Sequence, residues 1–218
     1  MKSKKYILQQ LLFPAFLFSF ICCTTSQSIN IDPGNLKVIN RNLVDDQSAG
    51  FKVVKMDRQL GSGLAIIKDV EFEGGVIELD IQGENNPGKS FVGVAFNIQN
   101  DSTYEAIYFR PFNFHSEEQI RREHSMQYIF HPDFGWRKLR TEREGQFEAE
   151  YPNPPSPDDW FSVKIIVQPK MVVVMDQVSG TTLMEVERLS SQVSNKIGFW
   201  TGHNSKGSFR NLKIGKGN

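Results

Sequence analysis

From Gly75 to Pro111 apolar and polar positions alternate in three runs, each closed by turn-forming residues. In the first run Ile77, Leu79 and Ile81 share one side, and Val76, Glu78, Asp80 and Gln82 share the other. That period of two is the mark of a strand with one face in a core and one wetter face. The stretch 83–88, rich in Gly, Asn and Pro, breaks it. In the second run Val92, Val94, Phe96 and Ile98 form the apolar side, opposite Gly93, Ala95 and Asn97. After Asn100, Asp101 and Ser102 turn the chain, a third run sets Tyr104, Ala106, Tyr108 and Arg110 against Glu105, Ile107 and Phe109. The pattern predicts a meander with an apolar back. Its front carries small residues beside Asn97, Tyr108 and Arg110, and that front is the expected working face.

The same signals recur along the chain. Strands are predicted at 50–56, 63–68, 125–131, 136–141, 160–168, 171–176, 181–186, 197–201 and 209–214. With the meander this makes about twelve short strands by the same period-two reading, and no long helical period. The segment 31–42 reads as irregular. Two long loops stand out, 113–124 and 142–159, the first with room for a helical turn and the second interrupted by Pro152, Pro154, Pro155 and Pro157. Many short strands with regular turns define an all-β sandwich or barrel.

Composition adds bounds. Seventeen phenylalanines in 218 residues can supply one sizeable core. A formal net charge of zero gives no footprint for nucleic acid. The first 26 residues read as a signal peptide: Lys2, Lys4 and Lys5, an apolar stretch 6–21 that is short for a membrane span, then small residues. Cleavage before Gln27 leaves a single domain, 27–218, that is secreted or periplasmic. The competing reading is a lipoprotein acylated at Cys22 or Cys23. Both cysteines of the chain lie in this leader, so the mature domain has neither a disulfide nor a cysteine metal site. Of 25 basic residues, three go with the leader, leaving 22 against 25 acidic.

The motifs GGVIELDI at 74–81, FVGVAFNIQNDSTYEAIYFRP at 91–111, DDWFSVKIIV at 158–167 and IGFWTGHNSKGSFRNLKI at 197–214 span most of the mature chain. In this order the chain resembles the concanavalin A-like lectin/glucanase superfamily, and within it keto-disaccharide hydrolase-like and laminin-G-type domains of secreted bacterial proteins. The resemblance implies a jelly-roll β-sandwich of two antiparallel sheets. It leaves the activity open, because this fold hosts lectins, hydrolases and adhesion modules.

Two constellations are candidates for chemistry. Glu78 and Asp80 resemble the E-x-D of laminarinase-type glucanases. A two-residue step along a strand separates them by about 6.6 Å, near the roughly 5–5.5 Å that a retaining glycosidase needs. The further carboxylate of that pattern is missing, since Gln82 and Gly83 occupy its place. The second set is Asn97, Tyr108, Arg110, Asn113, His124, Gln127, Tyr128, Trp136 and Trp200, with His131 and Arg140 nearby. Aromatic rings that stack on sugar C–H patches, beside planar hydrogen-bonding side chains, are what a carbohydrate site requires. If Arg110 has no ligand it needs a carboxylate, and Asp80 or Glu78 is the expected one. His115, His124, His131 and His203 lack metal-ligand spacing. No cofactor is expected; calcium, which related laminin-G-type domains often hold, has its candidates in Asn100, Asp101 and Glu105, although an Asx turn explains that stretch. The reading is therefore a secreted domain that binds carbohydrate on a concave face. The alternatives are a glycoside or keto-disaccharide hydrolase using that face, and a laminin-G-like protein-interaction module.

Overall fold

The computed structural model describes residues 26–44 and 53–216. Residues 1–25 of the leader, with Cys22 and Cys23, and the start of the strand expected at 50–56 lie outside the described residues, whereas Ser26 and Gln27, on either side of the expected cleavage point, are described. Among the described residues fourteen strands form two seven-stranded sheets with antiparallel pairing. The first sheet runs β1 (Ser26–Ser28), β14 (Ser205–Gly215), β5 (Gly75–Gln82), β10 (Trp160–Val167), β11 (Met171–Asp176) and β12 (Thr182–Glu187), with β3 (Val54–Gln59) also pairing β14. The second runs β2 (Leu36–Ile39), β4 (Gly63–Ile67), β13 (Gly198–Thr201), β6 (Val92–Asn100), β7 (Thr103–Phe109), β8 (Met126–His131) and β9 (Glu148–Ala149). This is the jelly-roll β-sandwich expected from the alternation.

The core lies between the sheets, and ring contacts show which faces meet. Phe199 on β13 stacks on Phe209 of β14 at 4.7 Å, and Phe109 on β7 meets Phe161 of β10 at 5.0 Å. Ile77, Leu79 and Ile81 of β5 point into the same space and are essentially inaccessible. Each such side chain stabilises the fold by about 1.5–3 kcal/mol relative to exposure. Glu78, Asp80 and Gln82 face away, as the period predicts.

Four local expectations are corrected. The stretch 136–141 is not a strand but helix α2 (Trp136–Glu142), built from good helix formers around one buried residue, Leu139. The segment read as irregular contains β2, and the proline-rich loop contains β9. The first long loop does hold a helical turn, α1 (Gln119–Glu123). At Asn97 the backbone turns left-handed (φ 50°), and the β6–β7 register shifts between Phe96 and Asn100. A bulge of this kind breaks the alternation, so Asn97 does not continue the face of Gly93 and Ala95.

Candidate functional site

One cross-strand row organises the face of the second sheet that looks away from the first. The registers align Ile39, Leu64, Trp200, Gly93, Tyr108, Gln127 and Glu148 across all seven strands. Gly93 sits between Trp200 and Tyr108, and their rings meet there, 4.9 Å apart. Trp200 donates its Nε1–H to the Tyr104 hydroxyl at 3.0 Å, and Tyr104 stacks on His131 at 5.3 Å. Tyr104, Tyr108 and Trp200 are each less than 5% exposed. The expected trough over Gly93 and Ala95 is thus filled by aromatic rings, and Trp200 is one of them rather than an open platform.

The polar end of the row is a network centred on Glu148. Arg110, 5% exposed at the end of β7, donates to Glu148 Oε1 at 3.1 Å, to the His124 carbonyl at 2.8 Å, to the Tyr108 hydroxyl at 2.8 Å and to Gln127 Oε1. Tyr108 also donates to Gln127 Oε1, at 2.8 Å. Arg140, from α2, clasps the same carboxylate through Nε and Nη2. His124 Nε2 lies 3.5 Å from Glu148 Oε2, and the Asn113 amide donates to the His124 carbonyl at 3.2 Å. Arg110 is therefore paired with Glu148, not with Asp80 or Glu78. Those two lie on the outward face of the other sheet, where Asp80 accepts from Arg210, Asn211 and Ser162.

Burial holds His124 below the ordinary histidine value; Glu148 pulls the other way, and Arg140 and Arg110 reinforce the burial. Burial likewise raises the Tyr108 hydroxyl. The hydrogen bonds to Glu148 raise Arg140 against its own desolvation. Trp136, the first residue of α2, is 45% exposed, with the guanidinium carbons of Arg137 and Arg140 each 5.2 Å from its ring centre. Beneath this layer the Ser125 hydroxyl and Gln127 Nε2 are buried without a hydrogen-bond partner among the described residues.

The structure gathers Tyr108, Arg110, Asn113, His124, Gln127 and Trp136 at one end of the sheet, and leaves out Asn97 and Tyr128. Tyr128 follows Gln127 and so faces the core, where its hydroxyl donates to Glu105 and accepts from the Leu189 amide at 3.1 Å. Glu105, fully buried, also takes Arg188 and, at 2.6 Å, the Asn97 amide. Burial, followed by Glu105, pushes the Tyr128 hydroxyl far above the phenol range. The calcium candidates do not converge: Asn100 makes an Asx turn to Ser102, exposed Asp101 pairs with Lys37, and Glu105 is in the core network. No group of three metal-ligating side chains occurs among the described residues.

Sequence reasoning missed Glu148 and Arg137. Glu148 belongs to a two-residue strand inside a proline-rich loop, and nothing in its neighbourhood alternates. The strand expected at 136–141 would turn Arg137 away from the face shared by Trp136 and Arg140; on helix α2 it joins Trp136 and Arg140 on one side.

A sandwich of two antiparallel sheets in this order defines the class as a jelly-roll β-sandwich. No family model and no curated protein sequence matches the chain. Solved structures do. The chain is similar to the carbohydrate-binding module CBM66 from Bacillus subtilis, at 10% identity and TM-score 0.55, covering 83% of this chain and 95% of that one. It is also similar to a protein of unknown function with a galectin-like fold from Bacillus subtilis, at 13% identity and TM-score 0.57, covering 84% and 90%. A third is the VIP36 exoplasmic/lumenal domain in its Ca2+/Man3GlcNAc-bound form, at 9% identity and TM-score 0.57, covering 88% and 90%. At these identities the likeness shows the fold.

Proposed function

We propose that this chain is a secreted carbohydrate-binding domain that engages glycans at the cell exterior through the end of the second sheet formed by β7, β8, β9 and α2. The observation that carries the reading is the pairing of an exposed ring with a fixed hydrogen-bonding frame: Trp136 stands beside Arg140, which Glu148 orients, and Glu148 is itself held by buried Arg110. Aromatic faces and planar polar groups that need no reorganisation are what sugar recognition uses. The fold supports it, since the solved neighbours include a module named for carbohydrate binding and a domain bound to Man3GlcNAc. Among the described residues no helix is long and apolar enough to cross a membrane.

Binding is favoured over hydrolysis at this place by its carboxylate count. A glycosidase of the usual kind needs two carboxyl groups flanking the bond. Here Glu148 is shared by two arginines, and Glu150, the next acidic residue along, is engaged by Arg122 and Gln119. A glycan array, followed by calorimetry on the strongest hit with wild type and Trp136→Ala, tests the proposal. Binding that is lost in the variant, with an unchanged unfolding midpoint, is expected; undiminished binding would place the ligand elsewhere.

A further inference from the structure

The patch beside Trp136 has hydrogen-bond donors to spare and acceptors that are already used. Glu148 Oε1 accepts from Arg110 and Arg140, Oε2 accepts from Arg140 and faces His124 Nε2, and Gln127 Oε1 accepts from Tyr108 and Arg110. Glu148 Oε1 and Gln127 Oε1 each accept two hydrogen bonds, and Glu148 Oε2 accepts one, with the His124 ring nitrogen 3.5 Å away. On the donor side, Arg140 uses Nε and Nη2 and leaves Nη1 without a partner among the described residues. The Arg137 guanidinium has no hydrogen bond or ion pair among the described residues. The Gln127 amide N–H2 and the Ser125 hydroxyl, unpartnered among the described residues, are fully buried beneath the patch and are not donors that a ligand there can reach. Charge runs the same way: Arg110 and Arg140 share the one carboxylate of Glu148, Arg137 adds a cation beside Trp136, and burial holds His124 toward its neutral form against the pull of Glu148 and Glu123. Glu142 does not offset them. At about 100° per residue it stands on the other side of α2 from Trp136, Arg137 and Arg140.

A neutral sugar presents hydroxyls, which donate as well as accept, and would find donors here but few acceptors. A carboxylate or a sulfate only accepts, and a guanidinium fixed by another carboxylate meets it with a planar fork. The geometry points to an acidic glycan, a sugar carrying a carboxylate or a sulfate, as the ligand of this patch; the inference rests on the carbohydrate reading above. Trp136 gives the ring of that sugar its stacking surface, and Arg137 with Arg140 Nη1 meets the anionic group.

Calorimetry on the purified protein with four probes tests this: oligogalacturonate, its methyl ester, a sulfated gluco-oligosaccharide and its unsulfated parent. At least one acidic probe is expected to bind about tenfold or more tighter than its neutral counterpart, with affinity falling as sodium chloride rises, because salt screens charges at a solvent-facing site. The carboxylate and sulfate pairs distinguish which anion is read. Arg137→Ala, at an exposed position, weakens that binding by about fivefold with no change in unfolding midpoint. Arg140→Lys weakens it too, because lysine keeps the charge and loses the fork. Equal affinity for acidic and neutral probes overturns the inference while leaving glycan binding in place, and so does binding of acidic probes unaffected by both variants. Failure of every glycan on the array instead removes the carbohydrate reading beneath it.

Discussion

The rings of Tyr108 and Trp200 stand 4.9 Å apart although their strands are not neighbours. The residue between them, Gly93, has no side chain to keep them apart. A methyl group there would also come within 2.0 Å of the Ile107 carbonyl oxygen on β7, a backbone atom that cannot swing away. Gly93→Ala is therefore expected to cost several kcal/mol, on the order of 3, by overpacking and by prising β6 from β7. Urea unfolding measures it; a loss below about 1 kcal/mol would show that the sheet absorbs the methyl group.

Arg110 is expected to behave as scaffold. It is buried, and it donates to Glu148, Gln127, Tyr108 and the His124 carbonyl. Arg110→Ala removes all four bonds and leaves buried acceptors behind, a change that costs about 3–5 kcal/mol when a buried pair loses one partner. Chemical denaturation of the variant decides it, and a shift of less than about 1 kcal/mol would return Arg110 to the set of dispensable ligand contacts.

These two sites show what the sequence could and could not reveal. Alternation placed Gly93, Tyr108 and Arg110 on one face, because a strand's period is fixed by its backbone. It also puts Glu105 with Ile107 and Phe109 on the core side, but the candidate site drawn from residue types held Gln127 and Tyr128 together although neighbours on a strand must part. What alternation could not supply was a partner from another element. Glu148 for Arg110 and Arg188 for Glu105 come from sequence-distant segments with no period of their own. Asn97 escaped for a different reason: a single left-handed residue reverses the parity, and Asn tolerates that conformation well enough to give no warning.

Acid is expected to loosen the Glu148 network through His124. Its folded pKa lies below the unfolded value of about 6.5, so the unfolded chain binds the proton more readily. The sign is that stability contributed by neutral His124 is complete above about pH 6.5 and is lost as pH falls from there through the lower folded value. Unfolding midpoints from pH 7.5 to 5 should drop less in His124→Gln than in wild type. Parallel curves for the two proteins would contradict this.

Tyr128→Phe removes a hydroxyl that joins Glu105 to the Leu189 amide. The expected cost is about 1–2 kcal/mol, the scale of a buried hydrogen bond to a charged group. Amide exchange in residues 188–196 should quicken more than in β5. Uniform quickening across the fold would mean that the hydroxyl does not anchor that loop in particular.

The chain's three tryptophans report three different places: Trp136 beside Arg140, Trp200 in the ring cluster under Tyr108, and Trp160 under Arg210 next to Asp80 on the far sheet. Titrating the strongest glycan-array hit into 15N-labelled protein and following the three indole N–H resonances tests the proposed site directly. The account predicts a saturable shift of the Trp136 resonance, with Trp160 unmoved and Trp200 moved less. A shift of Trp160 with Trp136 unmoved would put the ligand on the Asp80 face of the other sheet and contradict it.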